Sequence, residues 1–191
     1  MTEYQIISRS IKAEADQLLE NRGLLKVLSK YGDVKYTGSY RLDLMMKKDM
    51  DITLVSGDNS TEEFFRLGYE ISLLFNAHSM FYRNTIIKSA ANRPDNGLYW
   101  GIQFEDWNLD IWLLTYEEYE KSEKYIVSVL NSLYAEKIDT ILRLKYELLE
   151  GPYYGRTFSS RELYDSVINH DVKTSEDLFR YLQEIPVPPR L

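Results

Sequence analysis

The spacing of apolar residues changes near Thr115, and this change limits the folds open to the chain. Before it, polar and apolar residues alternate in short segments, which is typical of β-strands. After it, apolar residues recur at helical spacing, and Thr115 with Glu118 resembles a helix start. The strand predictions are residues 33–37, 49–55, 80–88, 98–104 and 107–114. The pattern predicts an α/β (α+β) fold with a mixed sheet flanked by helices, followed by a C-terminal helical region.

Helices and turns connect these strands. Residues 5–28 have helical spacing with a break at Gly23, and Ser60 with Glu63 forms a capping box that opens a helix of about 16 residues. A turn is predicted at residues 93–97, and prolines 186, 188 and 189 close the chain. We expect a catalytic domain at residues 1–115 and a helical region at 116–191 that packs against it.

Composition excludes several classes of site. The chain has no cysteine and two histidines, so a zinc-thiolate site is excluded and any metal is expected to have oxygen ligands. The net charge of -7 makes a nucleic acid an unlikely partner, because phosphate binding needs clustered Lys and Arg. No apolar run is long enough to span a membrane and the first residues lack a signal peptide, so we expect a cytoplasmic protein.

Gly38 and Ser39 follow the first predicted strand and open a short helix. Glycine allows the backbone to approach a phosphate, and amides at a helix start donate to phosphate oxygens. A Gly-Ser turn also occurs for steric reasons alone, so this element by itself is weak evidence.

Asp49 and Asp51 lie on one face of the second predicted strand, while Met50, Ile52 and Leu54 lie on the other. Two neighbouring carboxylates repel each other unless they are solvated or share a cation. Mg²⁺ prefers such oxygen ligands. A metal pair and a solvated strand edge are therefore the two interpretations.

Asp110 interrupts the apolar strand at residues 107–114. Leu109, Ile111 and Leu113 should face the core, which leaves Asp110 on the opposite face. An acid in this setting needs a partner, either an Arg or Lys in a salt bridge or a metal shared with Asp49 and Asp51.

Together these elements resemble the polymerase-beta-like nucleotidyltransferase superfamily. The resemblance rests on Gly38, Ser39, Asp49, Asp51 and Asp110 and covers the α/β part of the chain. It implies that the Gly-Ser turn holds a triphosphate and that the three acids bind Mg²⁺ or Mn²⁺ and are catalytic. We expect Asp110 to orient or deprotonate the acceptor hydroxyl, a role that the nearby Glu105 and Asp106 could share.

A triphosphate also needs cations, and Arg41, between the two halves of the motif, is the first choice for nucleotide binding. The alternatives are Lys47, Lys48, Lys88, Arg156 and Arg161. Arg41 as an ordinary surface charge on a short helix remains equally open.

The leading hypothesis is a magnesium-dependent transferase that moves the NMP of ATP or another NTP to a small-molecule hydroxyl and releases pyrophosphate. The alternatives are transfer to a protein or RNA, and a noncatalytic nucleotide-binding or partner-binding module. The acceptor is not identified by the sequence, and a homodimer or a protein partner is possible.

Overall fold

In the part of the chain that the structure describes, segments in which polar and apolar residues alternate form five strands. Segments with helical spacing before, between and after these strands form eight helices. The structure is a computed structural model that describes residues 1–57, 60–87 and 96–185. The strands are β1 (Asp33–Tyr36), β2 (Asp49–Val55), β3 (Ser79–Asn84), β4 (Leu98–Phe104) and β5 (Trp107–Leu114). The helices are α1 (Glu3–Glu20), α2 (Leu24–Leu28), α3 (Gly38–Arg41), α4 (Thr61–Phe75), α5 (Tyr116–Ser132), α6 (Ala135–Leu148), α7 (Ser160–Asn169) and α8 (Ser175–Glu184).

The strands form one sheet in the order β1-β2-β5-β4-β3. β2 and β5 are parallel neighbours, and the other pairs are antiparallel. Because parallel strands need a crossover, the chain passes through α4, β3 and β4 before β5 returns beside β2. The predicted mixed sheet with flanking helices is confirmed.

The two faces of the sheet differ in chemistry. One face is apolar and packs in a core with side chains from α1, α2 and α4. Met50 and Ile52 of β2 and Leu109 and Ile111 of β5 are at most 1% exposed on this face. The acids of both strands therefore lie on the opposite face, as the alternation predicted.

The C-terminal helices form a second hydrophobic core. Leu42, Leu44 and Met46, which precede β2, are buried in this second core and not in the sheet core. The segment that leads into the acids therefore packs against the helical region. The division into residues 1–115 and 116–191 stays a prediction.

The predicted third strand is too long at its end. β3 stops at Asn84, whose side-chain Oδ1 accepts hydrogen bonds from the backbone amides of Ile86 and Ile87. This local turn replaces the strand ladder. Lys88, residues 93–95 of the predicted turn and the closing prolines lie outside the described residues. Within the described ranges, the helices are too short or too polar for a membrane span.

Candidate active site

The pairing of β2 with β5 brings the three predicted acids onto one sheet face. In the parallel register Asp51 lies opposite Asp110, and Asp49 lies opposite Asn108. Asp49 and Asp51 are two residues apart on one strand, so all three carboxylates belong to the same face. We call Asp49, Asp51 and Asp110 the acid row.

Asp51, the central acid of the row, has a strongly raised pKa. Burial raises its pKa most, and the charges of Asp49 and Asp110 raise it further, against the opposing effect of Lys47 and Lys145, to about 8. A carboxylate in this environment is held in its neutral form at pH 7 unless positive charge is added.

The outer carboxylates have local partners. Lys47 Nζ lies 2.6 Å from Asp49 Oδ2, and the Tyr99 hydroxyl donates to Asp110 Oδ1 at 2.7 Å. Burial opposes the charge on Lys47, but the nearby Asp49 outweighs it and raises the pKa of this lysine. Within the described ranges, no three acidic or histidine side chains are arranged closely enough to enclose a metal ion.

The chemistry of the row nevertheless fits a divalent cation. Asp51 combines burial with two neighbouring negative charges, and a bound cation would remove the repulsion that raises its pKa. Carboxylate oxygens are the ligands that Mg²⁺ and Mn²⁺ prefer. Asp49 would exchange Lys47 for the metal.

Gly38 lies against the acid row at the start of α3. Its φ of +56° favours glycine, and a Cβ at this position would lie 2.1 Å from Asp51 Oδ2. The amide of Thr37 donates to the backbone oxygen of Asp51. The Gly38-Ser39 turn that sequence analysis singled out is thus in direct contact with the central acid.

Arg41 is engaged in an ion pair. Both guanidinium nitrogens donate to Glu123 on α5, and Tyr119 donates to the same carboxylate. This pair joins α3 to the helical region. A triphosphate would have to displace Glu123 to be bound by Arg41, so its predicted role stays a prediction.

Four of the other basic and acidic alternatives, Lys48, Glu105, Asp106 and Arg161, have partners. Lys48 bonds to Glu14 and Asp106, and Glu105 bonds to Arg22 at the turn between β4 and β5. Arg161 lies over the ring of Tyr125 at 4.1 Å.

Lys145 was missed by the sequence analysis. It lies on α6, is 1% exposed, and donates to the Leu44 oxygen at 2.6 Å and the Tyr164 hydroxyl at 3.2 Å. Burial lowers its pKa, and the charges of Asp49 and Asp51 act against this change. The signal was present, because Lys145 occupies the apolar face of α6 at helical spacing from Ile141 and Leu148.

Two cavities open on the two sides of the acid row. A cavity of about 240 Å³ lies between the sheet and α5, lined by Gly38, Asp51, Trp112, Tyr125 and Arg161 among others. We call it the inner cavity. An open cleft of about 330 Å³ lies over β3, β4 and β5, and its lining includes Lys47, Asp49, Phe81, Tyr99, Gly101 and Asp110. We call it the outer cleft. Each is in contact with part of the acid row.

No model of a known protein family matches the sequence, and no curated protein matches it. Solved structures do match. A cytoplasmic RNA terminal U-transferase aligns with a TM-score of 0.52 and 19% identity over 83% of this chain and 46% of its own. The Cid1 RNA terminal uridylyl transferase aligns with a TM-score of 0.53 and 18% identity, over 83% of this chain and 46% of its own. The Cid1 poly(U) polymerase bound to Mg and 3′-dATP aligns with a TM-score of 0.51 and 15% identity, over 87% of this chain and 54% of its own.

The chain spans about half the length of these structures. Each match covers 83% to 87% of this chain. The sequence resemblance to one superfamily rests on Gly38, Ser39, Asp49, Asp51 and Asp110. That resemblance is confirmed at the level of the fold. The chain has the fold of the polymerase-beta-like nucleotidyltransferases.

Proposed function

We propose that the chain transfers an NMP from an NTP to the 3′ hydroxyl of an RNA, with a divalent metal, and releases pyrophosphate. The observation that carries this proposal is the register that sets Asp51 opposite Asp110 on the face where Gly38 contacts Asp51. Three acids beside a glycine turn suit phosphoryl chemistry, in which positioning and charge stabilisation supply most of the catalysis.

The nucleotide belongs in the inner cavity. This cavity includes Gly38 and Asp51, so a triphosphate there would lie along the Gly38-Ser39 turn. Its far wall includes Trp112 and the stacked pair of Arg161 and Tyr125, which suit the planar base.

The acceptor belongs in the outer cleft, beside Asp110. Here Asp110 orients the acceptor hydroxyl and takes its proton as the acceptor oxygen bonds to the α-phosphorus and the bond to pyrophosphate breaks. Asp49 and Asp51 would hold the metal, which when bound would offset the charge of the triphosphate. Lys47 and Lys145 are the cations whose charges lower the pKa of Asp51.

RNA as the acceptor departs from the expectation of a small molecule. The matched structures are described as acting on RNA, which supports the proposal. The net charge of -7 argues against a long bound tract, not against a terminal nucleotide in a cleft. We therefore propose an acceptor that is held mainly by its 3′ end.

Incubation of the chain with each NTP, Mg²⁺ or Mn²⁺ and a 5′-labelled RNA oligonucleotide tests this proposal. We expect extension of the RNA, and none when its 3′ end is a 3′-deoxynucleotide. Asp110→Asn should abolish extension, while the matched variant Asp106→Asn, at the exposed turn between β4 and β5, should retain it.

The other acceptor class, a small-molecule hydroxyl, is tested in the same assay. Pyrophosphate release with a panel of small polyols and amino sugars, without RNA extension, would favour it. An absence of both pyrophosphate release and metal-dependent NTP binding would favour a noncatalytic module.

A further inference from the structure

Aromatic side chains line the outer cleft on the same face as the acid row. Tyr99 lies between Phe81 and Trp112, with ring centroids 6.4 Å and 4.9 Å away. Phe81 is 55% exposed on β3, at the edge of the sheet. Trp112 lines the inner cavity, and we call the two rings of the outer cleft, Phe81 and Tyr99, the aromatic row. A large exposed aromatic residue beside reactive carboxylates has a ring face available to a ligand.

The aromatic row is connected to the acid row. The Tyr99 side chain runs along its strand above Gly101, where a Cβ would lie 2.5 Å from the Tyr99 hydroxyl, and its hydroxyl donates to Asp110. Gly101 therefore leaves the space through which Tyr99 reaches Asp110. A ring that lies on this surface is held close to the carboxylate that acts on the acceptor hydroxyl.

The rim of the row carries groups that suit a nucleotide. The guanidinium of Arg83 lies 5.2 Å from the centre of the Phe81 ring, and this cation could also contact a phosphate. Gln103 Nε2 donates to Asn108 Oδ1 at 3.1 Å on the same face, so the cleft also has amide donors and acceptors. Ring faces, amides and one cation match a base, its edge and a backbone phosphate.

We propose that the aromatic row, and Phe81 above all, binds the base of the 3′-terminal nucleotide of the acceptor RNA. This inference rests on the proposed function and names the acceptor subsite within it. A ligand without a ring, such as a polyol, would leave the exposed face of Phe81 uncovered. Stacking on an aromatic side chain tolerates all four bases, so the subsite would place the 3′ end without selecting its sequence.

The test combines a change in the protein with a change in the RNA. Phe81→Leu keeps an apolar side chain and removes the ring, and a 5′-labelled RNA with an abasic 3′-terminal nucleotide removes the partner. We expect Phe81→Leu to raise the KM for normal RNA about 10-fold, in the range of one lost stacking contact. With the wild type, the abasic RNA should have a KM raised by the same factor. With Phe81→Leu, the KM for the abasic RNA should rise little further.

Two variants serve as controls. Phe81→Tyr keeps the ring and should restore the KM, and Tyr69→Leu removes an exposed ring from α4, on the other side of the sheet, and should have no effect. NTP affinity, measured by calorimetry, should be the same in all four proteins.

The outcomes separate the inference from the proposed function. Equal KM values for normal and abasic RNA, or for wild type and Phe81→Leu, would overturn the inference while extension itself continued. A wild type that extends no RNA would overturn both, and transfer to a small polyol in its place would identify the other acceptor class.

Discussion

Asp51 is the residue on which the proposed chemistry depends most, because its charge is opposed by burial and by both neighbouring acids. Asp51→Asn removes that charge and keeps the shape. We expect activity to fall about 100-fold or more, since metal binding contributes several kcal/mol and each factor of ten in rate is about 1.4 kcal/mol. The Tm without metal should be unchanged or higher, because the wild-type carboxyl must take up a proton on folding and asparagine does not. Pyrophosphate release and thermal melts in EDTA measure the two effects.

The pKa of Asp51 also predicts a pH dependence. The pKa is raised from 3.8 to about 8 in the folded protein, so folding favours the protonated form. Its stabilising effect is complete below the unfolded pKa and is lost as the pH rises towards 8. In EDTA, Asp51→Asn should therefore gain stability relative to the wild type between about pH 5 and about pH 8. Mn²⁺ affinity should rise over the same interval, because the metal needs the carboxylate. If neither the stability difference nor the Mn²⁺ affinity changed with pH, the raised pKa of Asp51 would be contradicted.

Gly38 offers a test of the turn beside Asp51. Gly38→Ala places a methyl group against the carboxylate in a left-handed backbone, so we expect a loss of about 1–3 kcal/mol in stability together with a loss of NTP affinity. Gly23→Ala is the matched control, because Gly23 has a φ of +84° and no atom lies within 4 Å of the place its Cβ would occupy. It should lose stability and keep NTP binding. Equal NTP affinity in both variants would show that the turn at Gly38 does not bind the nucleotide.

At the scale of elements, Lys145 joins α6 to the segment before β2. Its ammonium donates to Leu44, and its charge acts on the acids of β2. Lys145→Met removes the donor to the buried Leu44 oxygen, so we expect a loss of about 1–3 kcal/mol in stability. NTP affinity should fall about tenfold, the equivalent of about 1.4 kcal/mol, because a cation near the triphosphate is lost. The exposed variant Lys124→Met is the control, and identical NTP affinity in the two variants would contradict a role for Lys145.

The elements themselves were largely predictable. β2 and β5 have the predicted bounds because strict alternation marks a strand with one apolar face. The contact between Gly38 and Asp51 and the opposition of Asp51 and Asp110 required the strand register, which local spacing does not encode. The hydrogen bond from Tyr99 to Asp110 could not be predicted from the sequence either, because it depends on the pairing of β4 with β5.

At the scale of the whole molecule, the negative charge limits how RNA can be held. Among the described residues, we place two cations beside the acceptor, Lys47 in the lining of the outer cleft and Arg83 beside Phe81. Few counterions should therefore be released on binding. A single-stranded ligand loses about 0.7 log units of affinity per log unit of salt for each phosphate contacted, which predicts a slope of about -1.4 for two contacts. Acceptor KM values measured between low and high salt test this. A steep slope would indicate a longer basic track for RNA than the described residues contain.

The fold was predictable from the change of spacing near Thr115, whereas the RNA acceptor that we propose was only an alternative at that point. Net charge alone pointed away from nucleic acid, because a sum over the chain does not show a local cleft. The cleft arises where β3, β4 and β5 meet, and its aromatic residues, Phe81 and Tyr99, come from two separate strands. Sequence analysis could not bring these residues together.

The acid row is proposed to separate a nucleotide in the inner cavity from an acceptor in the outer cleft, and every other proposal depends on this arrangement. A crystal structure with Mn²⁺ and a nonhydrolysable NTP, with anomalous scattering used to locate the metal, tests it most directly. We predict manganese density at Asp49 and Asp51, the triphosphate along Gly38 and Ser39, and the base in the inner cavity. A nucleotide bound elsewhere, with no manganese at these acids, would contradict the arrangement.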